Sequence, residues 1–194
     1  DGEQAVLMAA LMETDNDGRP LIDAWIKRSG LTADAWLEKL FEATVIPFYH
    51  LLCRYGVALI AHGQNVTLVM KDYVPQRILL KDFQGDMRLV DEDFPQAQSL
   101  PEQVKAVTAR LSADYIIHDL QTGNFVTVLR FISRLTLQCG VSETRFYQIL
   151  AQVLRRYMAA HPDLAARFAK FDLFKPQIIR VILNPVKLTF SEHD

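Results

Sequence analysis

Residues 57–85 read VALIAHGQNVTLVMKDYVPQRILLKDFQG. Apolar runs of strand length fill 57–61, 66–71 and 76–81, and the polar groups they leave exposed gather at 62–65 and again at Lys81 and Asp82. Two hairpin-linked strands would present both clusters at their ends, a common way to build a metal and phosphate site. A further short run at 87–90 extends the pattern to an antiparallel meander.

The chemistry of the stretch centres on Asn65 and Asp82. A magnesium ion carrying a nucleotide triphosphate takes hard oxygen ligands and keeps several waters, so one protein carboxylate and one amide oxygen meet its needs. Protein kinases hold their ions with the same residue types in the same order, an Asn ending the catalytic loop and an Asp before Phe-Gly. His62, Asn65 and Asp82-Phe83 follow that order loosely. No Asp stands in the catalytic-base position after His62, and no Gly-rich loop precedes it. The competing reading makes Asn65 and Asp82 ordinary turn residues.

Outward from this stretch the pattern is helical on both sides. Residues 2–13 and 20–29 are apolar at helical spacing, separated by Asp15, Asn16, Asp17 and Gly18. That tetrad starts like a calcium loop, but its twelfth position is Ile26 where a bidentate Glu is needed, so an Asx-rich turn is expected. Thr32 reads as an N-cap, followed by Trp36, Leu37, Leu40, Phe41, Val45, Phe48 and Leu52 at three- and four-residue intervals, with Pro47 expected to kink the helix. After the acidic, loop-like 91–98, Ser99 with Glu102 and Pro101 forms a capping-box signature. Helical segments follow at 125–137, at 143–159 behind Ser142, and at 163–169, with Gly123 and Gly140 as breaks. The apolar run 178–183 fits a strand or a buried helix turn equally. The expectation is one α+β domain over 1–194: helical at 1–55, a small antiparallel sheet at 57–90, helical again at 99–183.

Of the 194 residues half are apolar and 23% are charged, a globular composition without disorder bias. No apolar run approaches the roughly 18 residues of a membrane helix, and the first residues carry no signal-peptide pattern, so a cytoplasmic location away from membranes is expected. Cys53 and Cys139 sit in helix-like apolar stretches without CxxC or zinc-ligand spacing, and read as free thiols. The net charge of −2 hides an asymmetry: 1–49 hold nine Asp or Glu against four Lys or Arg. In 154–190, Arg155, Arg156, Arg167, Lys170, Lys175, Arg180 and Lys187 face only Asp163 and Asp172. That basic segment suits either a pocket for phosphate or carboxylate ligands or the solvated face of helices. Nucleic acid is not an expected partner, since the chain is slightly acidic and has no basic stripe interleaved with aromatics.

The string Ala61-His62-Gly63-Gln64-Asn65, with Pro75-x-Arg77 and Lys81-Asp82-Phe83-Gln84-Gly85, resembles the signature of the IucA/IucC family, the NRPS-independent siderophore synthetases. The likeness continues through LSADYIIHDLQTG at 111–123, FIS at 131–133 and PQIIRVILNPVKLT at 176–189, nearly the whole chain, and is greatest to the aerobactin synthase branch. It implies the palm-like C-terminal domain of an ATP-dependent ligase, which adenylates a carboxylate of citrate or a citryl intermediate and passes the acyl group to an amine. In that branch the amine is an N-hydroxylated one, N6-acetyl-N6-hydroxylysine. On the family's template His62 is a catalytic, substrate-contacting imidazole, and Asn65 and Asp82 match nucleotide and Mg2+ positions. Gln64 and Arg77 fall on the substrate side, and Lys81 on the nucleotide side. Such chemistry brings an anionic carboxylate up to an anionic phosphate, so it rests on a neutralising cation and on holding the reactants in line. The bland alternatives are a structural hydrogen bond for His62, a turn for Gln64, and strand-surface charge for Arg77 and Lys81.

Two departures accompany the resemblance. Many members carry an acidic residue two positions before the His, where this chain has Ile60. Members are also about three times longer, and the triphosphate-binding segment they carry upstream has no counterpart here, so the isolated chain is expected to fold but to catalyse poorly or not at all. The parent enzyme is compatible with a homodimer. Rival readings are a kinase-like small-molecule phosphotransferase and an iron-handling module related to ferric-siderophore reductases. A purely structural, dimer-forming domain is a third. Two isolated cysteines argue against redox activity.

Overall fold

In a computed structural model, which describes residues 2–81 and 85–177, the chain opens as a strand, β1 (Glu3–Leu7), where helical spacing had suggested a helix. Pairing decides this: β1 lies antiparallel to β3 (Val66–Lys71), from Glu3 opposite Lys71 to Leu7 opposite Thr67. A ladder to a partner outweighs weak local periodicity. A 3₁₀ turn (Met8–Met12) then drops Met8 and Leu11 into the core. The acidic tetrad is a turn, with Asp15 Oδ1 accepting from the N–H groups of Asp17 and Arg19, both at 2.9 Å.

Helix α1 (Leu21–Ser29) leads to α2 (Ala33–His50), which starts where expected: the Thr32 hydroxyl accepts from Ala35 N–H at 3.2 Å. The helix runs on through Pro47 and widens into a π turn at Leu51–Tyr55. Gly56 ends it at φ 66°, with its Cα so close to Val90 and Phe94 that a Cβ would sit 2.6 Å from Val90 Cγ1. Only glycine meets both demands.

Strand β2 (Val57–Leu59) follows, then β3, β4 (Val74–Leu80) and β5 (Met87–Val90). They do not form one meander. One sheet has the order β1-β3-β4 and is antiparallel. The other has the order β2-β5-β6, where β2 and β5 are antiparallel and β6 (Ala109–Leu111) is parallel to β5. Alternation of apolar residues reveals strands but not their partners, and the polar stretch 60–65 carries the chain from one sheet to the other.

Between β5 and β6 lie two short helices, α3 (Pro95–Gln98) and α4 (Glu102–Val107). Ser99 does not cap α4: its hydroxyl donates to Gln96 O at 3.0 Å, closing α3 instead. Helix α5 (Ala113–Leu120) continues without a break through a π segment (Gln121–Leu129) into α6 (Arg130–Leu135). Gly123 widens this rod rather than ending it, whereas Gly140, at φ 81°, does end the turn that follows α6. Helix α7 (Glu143–Ala160) is capped by Ser142, whose hydroxyl accepts from Arg145 N–H, and α8 (Ala165–Lys170) closes the described chain. The run 178–183 lies outside the described residues.

The main core packs α2 against α7 and α8. Phe41 meets Phe146 edge-on at 5.0 Å, Tyr49 stacks on Phe168 at 5.6 Å, and the Tyr49 hydroxyl donates to Phe171 O at 3.0 Å. Trp36 Nε1–H donates to Tyr73 O at 2.8 Å, pinning the β3–β4 hairpin to α2. The α+β class with a helical majority is thus the observed one.

Candidate active site

The polar stretch 60–65 meets the described residues that end β4 and precede β5. Ile60 N–H donates to Asp86 O at 3.1 Å and Lys81 N–H to Asn65 O at 3.1 Å. His62 and Asn65 therefore lie against Lys81 and Asp86. Asp82 lies outside the described residues, next in sequence to Lys81.

Asn65 is 6% exposed, and its amide has one chemically sensible orientation. Nδ2 donates to Ile60 O at 2.6 Å and to Asp86 Oδ2 at 3.0 Å; an oxygen placed there would face two acceptors. Oδ1 is therefore the free end, buried and without a partner among the described residues. His62 is oriented by similar logic. Its Nδ1 accepts from Gln64 N–H at 3.2 Å, which puts the ring proton on Nε2, 3.9 Å from Asp86 Oδ2. The ring is 39% exposed and can donate to a substrate oxygen.

Behind the stretch 60–65 stands the π segment. Gly123 lies so near Ile60 and Ala61 that an added Cβ would be 3.3 Å from Ala61 N, and fully buried Asn124 donates through Nδ2 to Ala61 O at 3.2 Å. Asn124 Oδ1, like Asn65 Oδ1, is buried without a partner among the described residues. Wide turns of this kind recur at functional sites. One strand over, Arg88 pairs with Asp119 of α5 at 2.9 Å; burial holds the Asp119 carboxyl above its ordinary range despite Arg88. Sequence reasoning missed Asp86, Arg88, Asp119 and Asn124. Only Asn124 left a signal, an amide directly before the apolar helical run that opens at Phe125.

The remaining expected site residues are less involved. Gln64 is exposed and contributes its backbone N–H. Lys81 is exposed beside Asn65. Arg77 points its guanidinium at Glu3 of β1, with contacts of 2.5 and 2.9 Å, so its charge is engaged across the other sheet. The basic segment is largely taken up in packing. Arg156 reaches Glu38 and Glu42, Lys170 pairs with Glu92, and Arg167 donates to Cys53 O and Arg54 O while lying 4.0 Å over the Phe94 ring. Lys175 instead edges a cleft of about 40 Å³ with His118 and Gln121, and Arg180 and Lys187 lie outside the described residues.

Among the described residues no three His, Cys, Asp or Glu side chains gather as a metal cluster. The unmet lone pairs of Asn65 Oδ1 suit a hard cation with water ligands, so that atom fits Mg2+. Both cysteines are free; burial pushes the Cys53 thiol up to about 12 and Cys139 up to about 11, far from a reactive thiolate. No helix among the described residues is long and apolar enough to cross a membrane.

A family model described as "Ferric iron reductase FhuF-like transporter" matches residues 34–194. The chain belongs to that family. Over 192 residues this FhuF-like chain is 66% identical to the aerobactin synthase of Escherichia coli, covering 99% of itself and 33% of that relative. Its structure is similar to that of the aerobactin synthetase IucC from Klebsiella pneumoniae, with TM-score 0.93 and 68% identity over 97% of this chain and 35% of that one. To the ATP-bound aerobactin synthetase IucA of the same organism the likeness is one of fold, with TM-score 0.69 and 19% identity over 81% of this chain and 30% of that one. The FhuF-like chain spans about a third of the length of the curated relatives it matches. The resemblance to the IucA/IucC synthetases and their aerobactin branch holds across it.

Proposed function

We propose that this chain forms one wall of the active site of an ATP-dependent ligase in siderophore biosynthesis, as a single C-terminal domain of a longer, cytoplasmic synthetase. The observation that carries the reading is the pairing of the stretch 60–65 with Lys81 and Asp86, which sets His62 Nε2–H and the unpartnered Asn65 Oδ1 together beside Lys81. A carboxylate oxygen of citrate or a citryl intermediate bonds the α-phosphorus of ATP as pyrophosphate leaves. An N-hydroxylated amine such as N6-acetyl-N6-hydroxylysine then takes the acyl group, releasing AMP and a proton.

In this scheme His62 donates from Nε2 to a citrate oxygen and holds the carboxylate in line. Gln64 fixes the ring by its backbone N–H. Asn65 Oδ1 and Asp82 would hold Mg2+, which when bound supplies positive charge against the phosphates. Lys81 adds a further cation on the nucleotide side. Arg77, engaged with Glu3, serves substrate binding only if that pair opens.

The test uses a full-length synthetase carrying this chain, supplied with ATP, citrate and the hydroxylated amine, and follows pyrophosphate release and product mass. Asn65→Ala and Asp82→Ala are each expected to lower turnover by on the order of 100-fold, the scale of losing one preorganised electrostatic contact. Unchanged pyrophosphate release in both would remove the metal role. For the chain alone, calorimetry with Mg-ATP is expected to show weak or undetectable binding; micromolar affinity would mean that this wall suffices without the other.

A further inference from the structure

Asn65 can serve a cation only if its amide keeps one orientation, and Ile60 O alone does not ensure that. A single acceptor leaves the side chain free to swing about its bond to Ile60, and Oδ1, buried with no donor facing it among the described residues, gains by swinging toward one. The second acceptor is Asp86 Oδ2, 3.0 Å from Nδ2. Asp86 is itself placed by the fold, since its backbone carbonyl receives Ile60 N–H at the start of the passage and β5 begins at the next residue. Its side chain is 29% exposed and makes no contact of 3.5 Å or less with any Lys or Arg among the described residues, so its hydrogen-bonding partner there is the Asn65 amide.

We infer that Asp86 is a positioning residue for the reaction proposed above: it acts through Asn65, locking the amide so that Oδ1 presents its lone pairs to the ligand. The inference rests on that functional reading, and it concerns an acceptor oxygen rather than a charge. Asp86→Asn retains an oxygen for Nδ2, whereas Asp86→Ala removes it.

In a full-length synthetase carrying this chain, Asp86→Ala is expected to reduce kcat/KM for Mg-ATP in pyrophosphate release by about 10- to 100-fold and to raise the Mg2+ concentration needed for half-maximal rate, with the KM for citrate little changed. Asp86→Asn is expected to restore most of the loss. In the double variant Asn65→Ala/Asp86→Ala the rate is expected to equal that of Asn65→Ala alone, because a residue acting through another adds nothing once the other is gone. Wild-type rates in Asp86→Ala, an Asp86→Asn variant as impaired as Asp86→Ala, or additive losses in the double variant would each overturn the inference. If Asp86→Ala melts well below the parent, Asp86→Ser, whose hydroxyl is too short to reach Nδ2, takes its place with the same expectations. A wild-type enzyme that releases no pyrophosphate with citrate would instead count against the proposed function.

Discussion

The helical core and the passage between the sheets handle polar groups in opposite ways. In the core of α2, α7 and α8, buried polar atoms find partners: the Thr44 hydroxyl donates to Leu40 O at 2.6 Å and the Tyr49 hydroxyl to Phe171 O. Among the described residues, the buried side-chain polar atoms without a partner are Asn65 Oδ1, His118 Nδ1, Asp119 Oδ2 and Asn124 Oδ1. All four belong to the passage or to the rod of α5 and its π segment that packs on it. Each such atom costs about 1–3 kcal/mol. Among the described residues the unmet polar atoms thus gather at this corner, which is where the proposed site lies.

The comparison is broken most severely from the core side. Phe41 is fully buried and meets Phe146 edge-on, so Phe41→Ala should cost about 3–5 kcal/mol. Thermal melting should fall by on the order of 10 °C. Pyrophosphate release per folded molecule should stay near the parent value. A loss of rate beyond the unfolded fraction would show that core and passage are coupled, and the two regions could no longer be treated as separate.

Gly123→Ala probes the other side with a smaller effect on stability. Alanine gains up to about 1 kcal/mol over glycine within a helix. The new Cβ, 3.3 Å from both Ala61 N and Ile60 Cγ2, takes some of that back by pressing on the backbone just before His62. The net change in melting should therefore be under about 1 kcal/mol. Activity should fall several-fold, because Ala61 carries the His62 ring with it. If both stability and rate are untouched, the close approach of the π segment is mere packing.

The same contrast explains what could be read from sequence. Thr32 and Ser142 were legible as caps because a hydroxyl and the N–H three residues on suffice to make one. His62 and Asn65 were legible as a polar break in an apolar run, and the motif around them pointed to the right family. What could not be read was pairing. That β2 takes β5 rather than β3, and that β1 is a strand at all, follows from contacts between residues far apart in sequence. Asp86 and Asn124 were missed for the same reason: each gains meaning only from a carbonyl or amide that the fold brings to it.

The smallest expected effect sharpens the comparison by placing a pH response in the core rather than at the passage. His50 ends α2, with Nδ1 2.7 Å from the Tyr157 hydroxyl, beside Arg54 and the His161 ring. Burial first, then Arg54 and His161, holds its pKa below the ordinary value of 6.5. The native state therefore favours the neutral ring. Both states are neutral well above pH 6.5, where its contribution is fully present; as pH falls through the lowered native value, the unfolded chain takes the proton more readily and stability is lost. Melting of the parent should drop on acidification from pH 7.5 to 5, and His50→Gln, which keeps a polar group for Tyr157 but cannot titrate, should drop less. Arg54 is already paired with Asp163 at 2.7 Å, so raised salt should weaken its part of the effect but not the part due to burial. An equal drop in parent and variant would move the acid sensitivity away from the α2 terminus, with the half-buried Asp119 left out as its source. A carboxyl held above its ordinary range stabilises the native state on acidification and works in the opposite direction.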